Sequence, residues 1–271
     1  MSRTVDPSAP LEPCVLATGD LWAALRQGLS DFLRAPLYGV FFSSVYVCGG
    51  LLLWRVYTEA GQEWWLAPVA VGFPLIAPFA AVGLYEVSRR IETGEALDWR
   101  GVLGVVLRQK DRQVPLAAAL IVVIFLFWIF VAHAIFALFM GLRAFSAEAG
   151  IIDLLLTGNG PLMLAVGGAV GAGFAGLIFA VTATGLPHIL DREVDVVTAM
   201  IASVGVVVRN PAVMAIWAAV IAAGLFLAML PAFLGLFVAL PVFGHATWAL
   251  YRRALAEATG DGAAGGAAAD A

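Results

Sequence analysis

FPLIAPFAAVGLYEVSRR, residues 73–90, sets two prolines four residues apart in an apolar run that ends abruptly in charge. Neither proline has an N–H. A helix through them leaves the carbonyls of Ala70 and Pro74 without their usual donors. In water such a segment competes poorly with solvated conformations. In a bilayer core there is no competing solvent, and neighbouring helices take up the loss. The stretch therefore reads as a kinked transmembrane helix. It ends where Glu86, Arg89 and Arg90 reach an interface.

The rest of the chain agrees. Of its 271 residues 62% are hydrophobic and 13% charged, and the mean hydropathy is +0.95. A soluble domain is nearer half apolar and a quarter charged, so the composition is that of a polytopic membrane protein. The net charge of −4 gives no reason to expect a nucleic-acid partner. Two cysteines, Cys14 and Cys48, lie in different environments, so no disulfide is expected, and no CxxC or Cys/His ligand spacing occurs. The N-terminal stretch MSRTVDPSAPLEPC has no apolar run of signal-peptide type, which leaves insertion to the first span.

A helix needs about 20 apolar residues to cross a bilayer. Candidate spans fall at about 37–54, 64–85, 116–142 and 161–186. Residues 212–251 carry no charge and are about 60 Å long as helix, twice the hydrocarbon thickness. They divide near 230–235, where Pro231 and Gly235 permit a turn. That makes six spans in three hairpins. Basic residues favour the cytoplasm. With an inside N-terminus, thirteen of the fifteen lysines and arginines fall in cytoplasmic segments, and only Arg55 and Arg143 fall outside. Both termini are then cytoplasmic. Trp54, Trp64 and Trp65 sit at the outer interface, and Trp22, Trp99, Trp248 and Tyr251 near the inner one.

Three cytoplasmic segments share a layout: Asp20 to Pro36, Asp98 to Pro115 and Asp195 to Pro211. Each opens with an aspartate suited to a helix start. Apolar residues follow at helical spacing: Leu21, Trp22, Leu25, Leu29, Phe32 and Leu33; then Trp99, Val102, Leu103, Val106 and Leu107; then Val196, Val197, Met200, Ile201 and Val204. Each segment closes on a basic residue shortly before a proline. The expectation is an amphipathic helix lying in the inner interface, with proline opening the next span. Either the unit is repeated three times, or three entries into the bilayer have converged on one solution. Residues 1–17 and 256–271 are expected to be disordered, around a single membrane domain at 18–255.

Gly167 and Gly171 form a GxxxG pair, extended by Gly173 and Gly176, which suits close helix packing within the chain or against a second copy. Pro74 and Pro78 mark either a packing bend or a permeation path. His133, His188 and His245 are the histidines, and His188 and His245 are the pair at comparable depth that could ligate a haem iron. The acids of LDREVD (190–195) and YEVSRRIETGEALD (85–98) read as solvated loops with local ion pairs. No Ser/His/Asp spacing, P-loop or HExxH motif is present. No catalytic, cofactor-binding or metal-ligating residue is assigned, no cofactor is implied, and no enzymatic activity is expected.

FPLIAPFAAVGLYEVSRRIETGEALDW, with GLPHILDREVDVVTAMIASVGVVVRNPAVMAIWAAVI and LPVFGHATWALYRR, resembles an uncharacterised bacterial family of six-span inner-membrane proteins, over about residues 15–255. The resemblance implies an inner-membrane location and six spans, with no functional residues to carry over. Members sometimes bear the label cytochrome c oxidase subunit I. Three histidines cannot supply that enzyme's haem and copper ligands. The expected class is therefore an all-α, multi-pass inner-membrane protein with both termini cytoplasmic. Its partners are the lipid bilayer and other membrane proteins or itself. The expected role is a non-enzymatic scaffold, assembly or regulatory partner. A small-solute or ion permease is the alternative, and a haem-binding membrane protein comes third.

Overall fold

The computed structural model describes residues 11–59, 66–109, 112–141, 158–192 and 194–257. These residues form helices α1 (Thr18–Arg34), α2 (Pro36–Glu59), α3 (Leu66–Thr93), α4 (Trp99–Gln109), α5 (Val114–Met140), α6 (Gly160–Thr182), α7 (Gly185–Arg192), α8 (Val196–Arg209), α9 (Pro211–Met229) and α10 (Leu236–Ala254). Two short strands, β1 (Leu11–Pro13) and β2 (Leu255–Glu257), pair antiparallel. Residues 60–63 of the expected 55–63 loop lie outside the described residues, as do Arg143 and 258–271 of the expected tail, while 55–59 continue α2.

α3 runs unbroken through Pro74 and Pro78, as a helix in lipid can. Among the described residues three helical stretches are long and apolar enough to cross a membrane: Val114–Met140, Gly160–Arg192 and Pro211–Met229. A bent pair, Thr18–Arg34 with Pro36–Leu52, makes a fourth if it counts as one span. Their apolar surface is turned outward. Phe127, Phe130, Leu138 and Phe226 are exposed, Leu138 to 82%. Water would penalise such a surface, whereas lipid tails would not.

Prolines open the helices that follow the three segments of the repeat pattern. Pro36 starts α2, Pro211 starts α9, and Pro115 is the second residue of α5. The turn between α9 and α10 falls at 230–235, as the sequence suggests. It needs no polar side chain because its backbone pairs with itself. Phe233 N–H donates to the Met229 carbonyl and Leu234 N–H to the Pro231 carbonyl, each at 3.0 Å. Ala232 and Phe233 take positive φ to close it.

The joints at either end of the repeat pattern match closely. Ala35, between α1 and α2, has φ −136° and ψ 52°; Asn210, between α8 and α9, has φ −129° and ψ 52°. In both, the joint N–H reaches carbonyls three and four residues back. The α1–α2 joint bends by 102°. The middle unit differs, since α4 ends at Gln109 and α5 begins after a short turn.

The apolar stripes read from sequence divide in two. On α1, Leu21, Ala24, Gly28 and Phe32 are buried, while Trp22, Leu29 and Leu33 face out. On α8, Val196, Ala199, Met200 and Ser203 are buried, while Val197, Ile201, Val204 and Val208 face out. Each helix thus has an inner face that mixes small and large residues and an outer apolar face. α1 lies against α10, which also contacts α2, α3 and α9; α3 packs on α5, and α5 on α6. The main core gathers at the α1–α10 end and includes Val82, Tyr85, Ile189, Met214, Trp217 and Trp248.

Part of the segment expected to be disordered, 1–17, is stitched down. Beyond the β1–β2 pair, Cys14 N–H donates to the Ala254 carbonyl at 2.8 Å. The Asn210 side chain accepts from Leu16 N–H at 2.7 Å and donates to the Cys14 carbonyl at 2.8 Å. One buried amide thus holds both sides of the N-terminal segment at the α8–α9 joint. Asn210→Ala strands these backbone groups and costs about 2 kcal/mol. Limited proteolysis of the detergent-solubilised variant is expected to cut near residue 14 faster than in wild type.

Candidate functional site

Three buried polar side chains, Asp31, Ser88 and His245, meet where α1, α3 and α10 pack together. Apolar periodicity on α1 carries Asp31 to the inner face, and the chain leaves it there 2% exposed. The last two turns of α3, past the expected membrane boundary, bring Ser88 opposite. α10 brings His245. Ser88 Oγ lies 3.1 Å from Asp31 Oδ2 and 2.7 Å from His245 Nδ1. Gln27 Nε2 donates to Asp31 Oδ1 at 2.8 Å. With the serine hydroxyl donating to Asp31, the imidazole must donate from Nδ1 to the serine oxygen. His245 Nε2 is then a buried lone pair with no hydrogen-bond partner. The order differs from that of a hydrolytic triad, where imidazole stands between acid and alcohol.

Burial raises the Asp31 carboxyl above its usual range, and the hydrogen bonds from Ser88 and Gln27 and the charge of Arg34 oppose this. Glu92 adds to the rise. A carboxyl whose folded-state affinity for a proton is raised contributes stability that is full below its unfolded value. That contribution is lost as pH rises through the folded one. Asp31→Asn is therefore expected to melt no lower than wild type at pH 7. It should also flatten the fall in stability between mildly acidic and neutral pH. Thermal unfolding in detergent at both pH values checks this.

Beside this relay, Glu92 Oε2 accepts from Trp248 Nε1 at 2.9 Å and Oε1 from Arg252 Nε at 3.0 Å. Arg252 also reaches Asp191, which accepts from the Tyr251 hydroxyl at 2.7 Å. On the other side of α3, Glu86 is fully buried and takes Arg89 Nε at 2.8 Å and Arg90 Nε at 2.6 Å. Arg89 goes on to Glu95 and Arg90 to Asp98. The bonds to Glu86 raise the Arg89 pKa, and Arg89 lowers that of Glu95. This segment, read as a solvated loop, is a helix end knitted around one buried carboxylate.

The three aspartates of the repeat pattern act at helix starts. Asp195 accepts from Val197 and Thr198 N–H, Asp98 from Gly101 N–H, and Asp20 from Ala17 N–H. The histidines stay apart in role. His133 bonds the Ile129 carbonyl on its own helix, and His188 packs its ring against Tyr251 at 6.0 Å. Among the described residues no three His, Cys, Asp or Glu side chains gather to hold a metal ion. Gly171 lies against Trp128, whereas no described residue lies against Gly168, Gly173 or Gly176. Sequence reading missed Asp31 and Ser88. The available signal was an acid at a core position of an amphipathic helix.

Residues 66–191 match the family described as Predicted integral membrane protein (DUF2189). Over that stretch the chain is similar to the family. The match runs from the start of α3 almost to the end of α7 and agrees with the resemblance seen in sequence. No curated protein and no solved structure matches the chain. It is an integral membrane protein, and the family's function is unknown.

Proposed function

We propose that this is a six-span inner-membrane protein with both termini in the cytoplasm. It acts as a non-enzymatic assembly or regulatory partner of another membrane protein. Arginine placement supports the topology. The outward apolar faces of α1 and α8 support their lying in the inner interface.

The observation that carries the partner reading is the bare face of α6. None of the most apolar stretch of Gly160–Arg192 is buried. Among the described residues, nothing lies within 4 Å of where a side chain would start at Gly168, Gly173 or Gly176. Beside them runs an apolar trough of about 390 Å³, lined by Trp128, Ile135, Phe136, Met163 and Gly167 among others. Lipid gains little from such a surface, while a second helix packs closely on it. The permease reading asks instead for a polar cavity near Pro74 and Pro78 open to both faces. Among the described residues, one cleft is lined by α1, α3 and α10, and a polar one by α3, α4 and α7.

A photo-crosslinking residue at position 173, in cells, tests the proposal. The expected product is a complex with a membrane protein that disappears when Gly168 and Gly176 are replaced by leucine. Crosslinks to lipid alone, unchanged by those leucines, would remove the reading.

A further inference from the structure

We infer that the cleft between α1, α3 and α10 binds a phosphate group, in the first instance that of an anionic phospholipid headgroup. The cleft holds about 450 Å³, within the range of about 300–1,000 Å³ usual for small-molecule sites. Its walls carry three arginines, Arg34, Arg252 and Arg253, against two carboxylates, Asp31 and Glu92.

The acids are already served from within. Asp31 takes Gln27 and Ser88, and Glu92 takes Trp248 and Arg252. Arg252 is committed to Glu92 and Asp191. Two cations are left over. Among the described residues Arg253 bonds only the Ala249 carbonyl, and Arg34 makes no hydrogen bond or ion pair, its charge acting on Asp31 only through space. The cleft therefore offers surplus guanidinium donors, in the fork geometry that suits phosphate, while each carboxylate oxygen of Asp31 and Glu92 already accepts a hydrogen bond. Trp248, Ile91 and Ala249 supply apolar wall for the glycerol and first methylenes. Arg34 ends α1 next to the exposed Leu33 and Leu37. In the proposed topology this is headgroup depth at the anionic inner leaflet.

The depth rests on that topology, but phosphate binding in detergent does not. Failure of one is therefore distinguishable from failure of the other. Purified protein is titrated with dioctanoyl phosphatidylglycerol, dioctanoyl phosphatidylcholine and inorganic phosphate, and bound adducts are read by native mass spectrometry. Phosphatidylglycerol is expected to bind best, with affinity reduced about thirtyfold in Arg34→Gln/Arg253→Gln. Arg34→Lys/Arg253→Lys should keep most of it. Arg26→Gln and Arg209→Gln, basic positions outside the cleft, should change nothing. Arg34→Gln alone gives the same reading if the double variant does not fold. If inorganic phosphate displaces the lipid and shows the same arginine dependence, the site stands and its natural ligand is a soluble phosphate compound. Equal binding of phosphatidylcholine, no binding at all, or binding indifferent to Arg34 and Arg253 would overturn the proposal.

Discussion

Gly28→Ala is expected to destabilise the protein by about 3 kcal/mol, the opposite sign to the usual effect of alanine in a helix. An added Cβ at Gly28 would meet the Val242 carbonyl oxygen at 2.5 Å and Ala246 N at 2.6 Å. Both are backbone atoms of α10 and cannot swing aside. α1 must lift, and with it Asp31 leaves Ser88. Gly19, on the same helix, has nothing within 4 Å, so Gly19→Ala should be neutral or stabilising by up to about 1 kcal/mol. Chemical unfolding in micelles measures both, and trypsin cleavage after Arg26 and Arg34 reports whether α1 has come away. Equal effects at the two glycines would mean that α1 is not docked as described.

Glu86→Ala carries the second large effect. It leaves Arg89 and Arg90 facing a buried site with their shared acceptor gone. Removing one partner of a buried pair costs about 3–5 kcal/mol. Both arginines retain a second acid, Glu95 or Asp98, so the low end, about 3 kcal/mol, is expected. Glu95→Gln should change stability little, since solvent screens that exposed pair. The comparison separates a buried carboxylate that organises the end of α3 from surface charges that merely accompany it. A Glu86→Ala protein that unfolds like wild type would contradict the buried network.

Much of the architecture was legible because it follows from one-dimensional rules. Proline at the start of α2 and α9, aspartate ahead of α4 and α8, and long uncharged runs each fix a helix locally. The α9–α10 turn was legible from Pro231 and Gly235 despite its apolar composition. The face that each amphipathic helix buries was not legible. Apolar periodicity marks Leu29 and Leu33 as readily as Leu21 and Phe32, and only the small residues Ala24 and Gly28 show which side a neighbour approaches. The β1–β2 clip was missed because three-residue strands have no periodicity, and its anchor, Asn210, looks like an ordinary residue before proline.

The candidate site was less legible still. Asp31, Ser88 and His245 come from three helices far apart in sequence, and no spacing rule links them. Their common signal is polarity at positions that the helix pattern assigns to the core. Glu86 carries the same signal at the end of an apolar run. It was read as the edge of a loop because α3 continues about two turns beyond the point where hydropathy falls. Span counting fails in a related way. α10 mixes Pro241, His245 and a basic end into its apolar run, so composition alone does not single it out as a crossing helix.

The central claim is that lipid surrounds this chain, with its basic segments and both ends on the cytoplasmic side. Paired reporters test it directly: a fluorescent protein that matures only in the cytoplasm, and a phosphatase active only outside the inner membrane. Each is placed at the C-terminus and in the 55–63 loop. The account predicts fluorescence without phosphatase activity at the C-terminus, and the reverse in the loop. An active phosphatase at the C-terminus would contradict it.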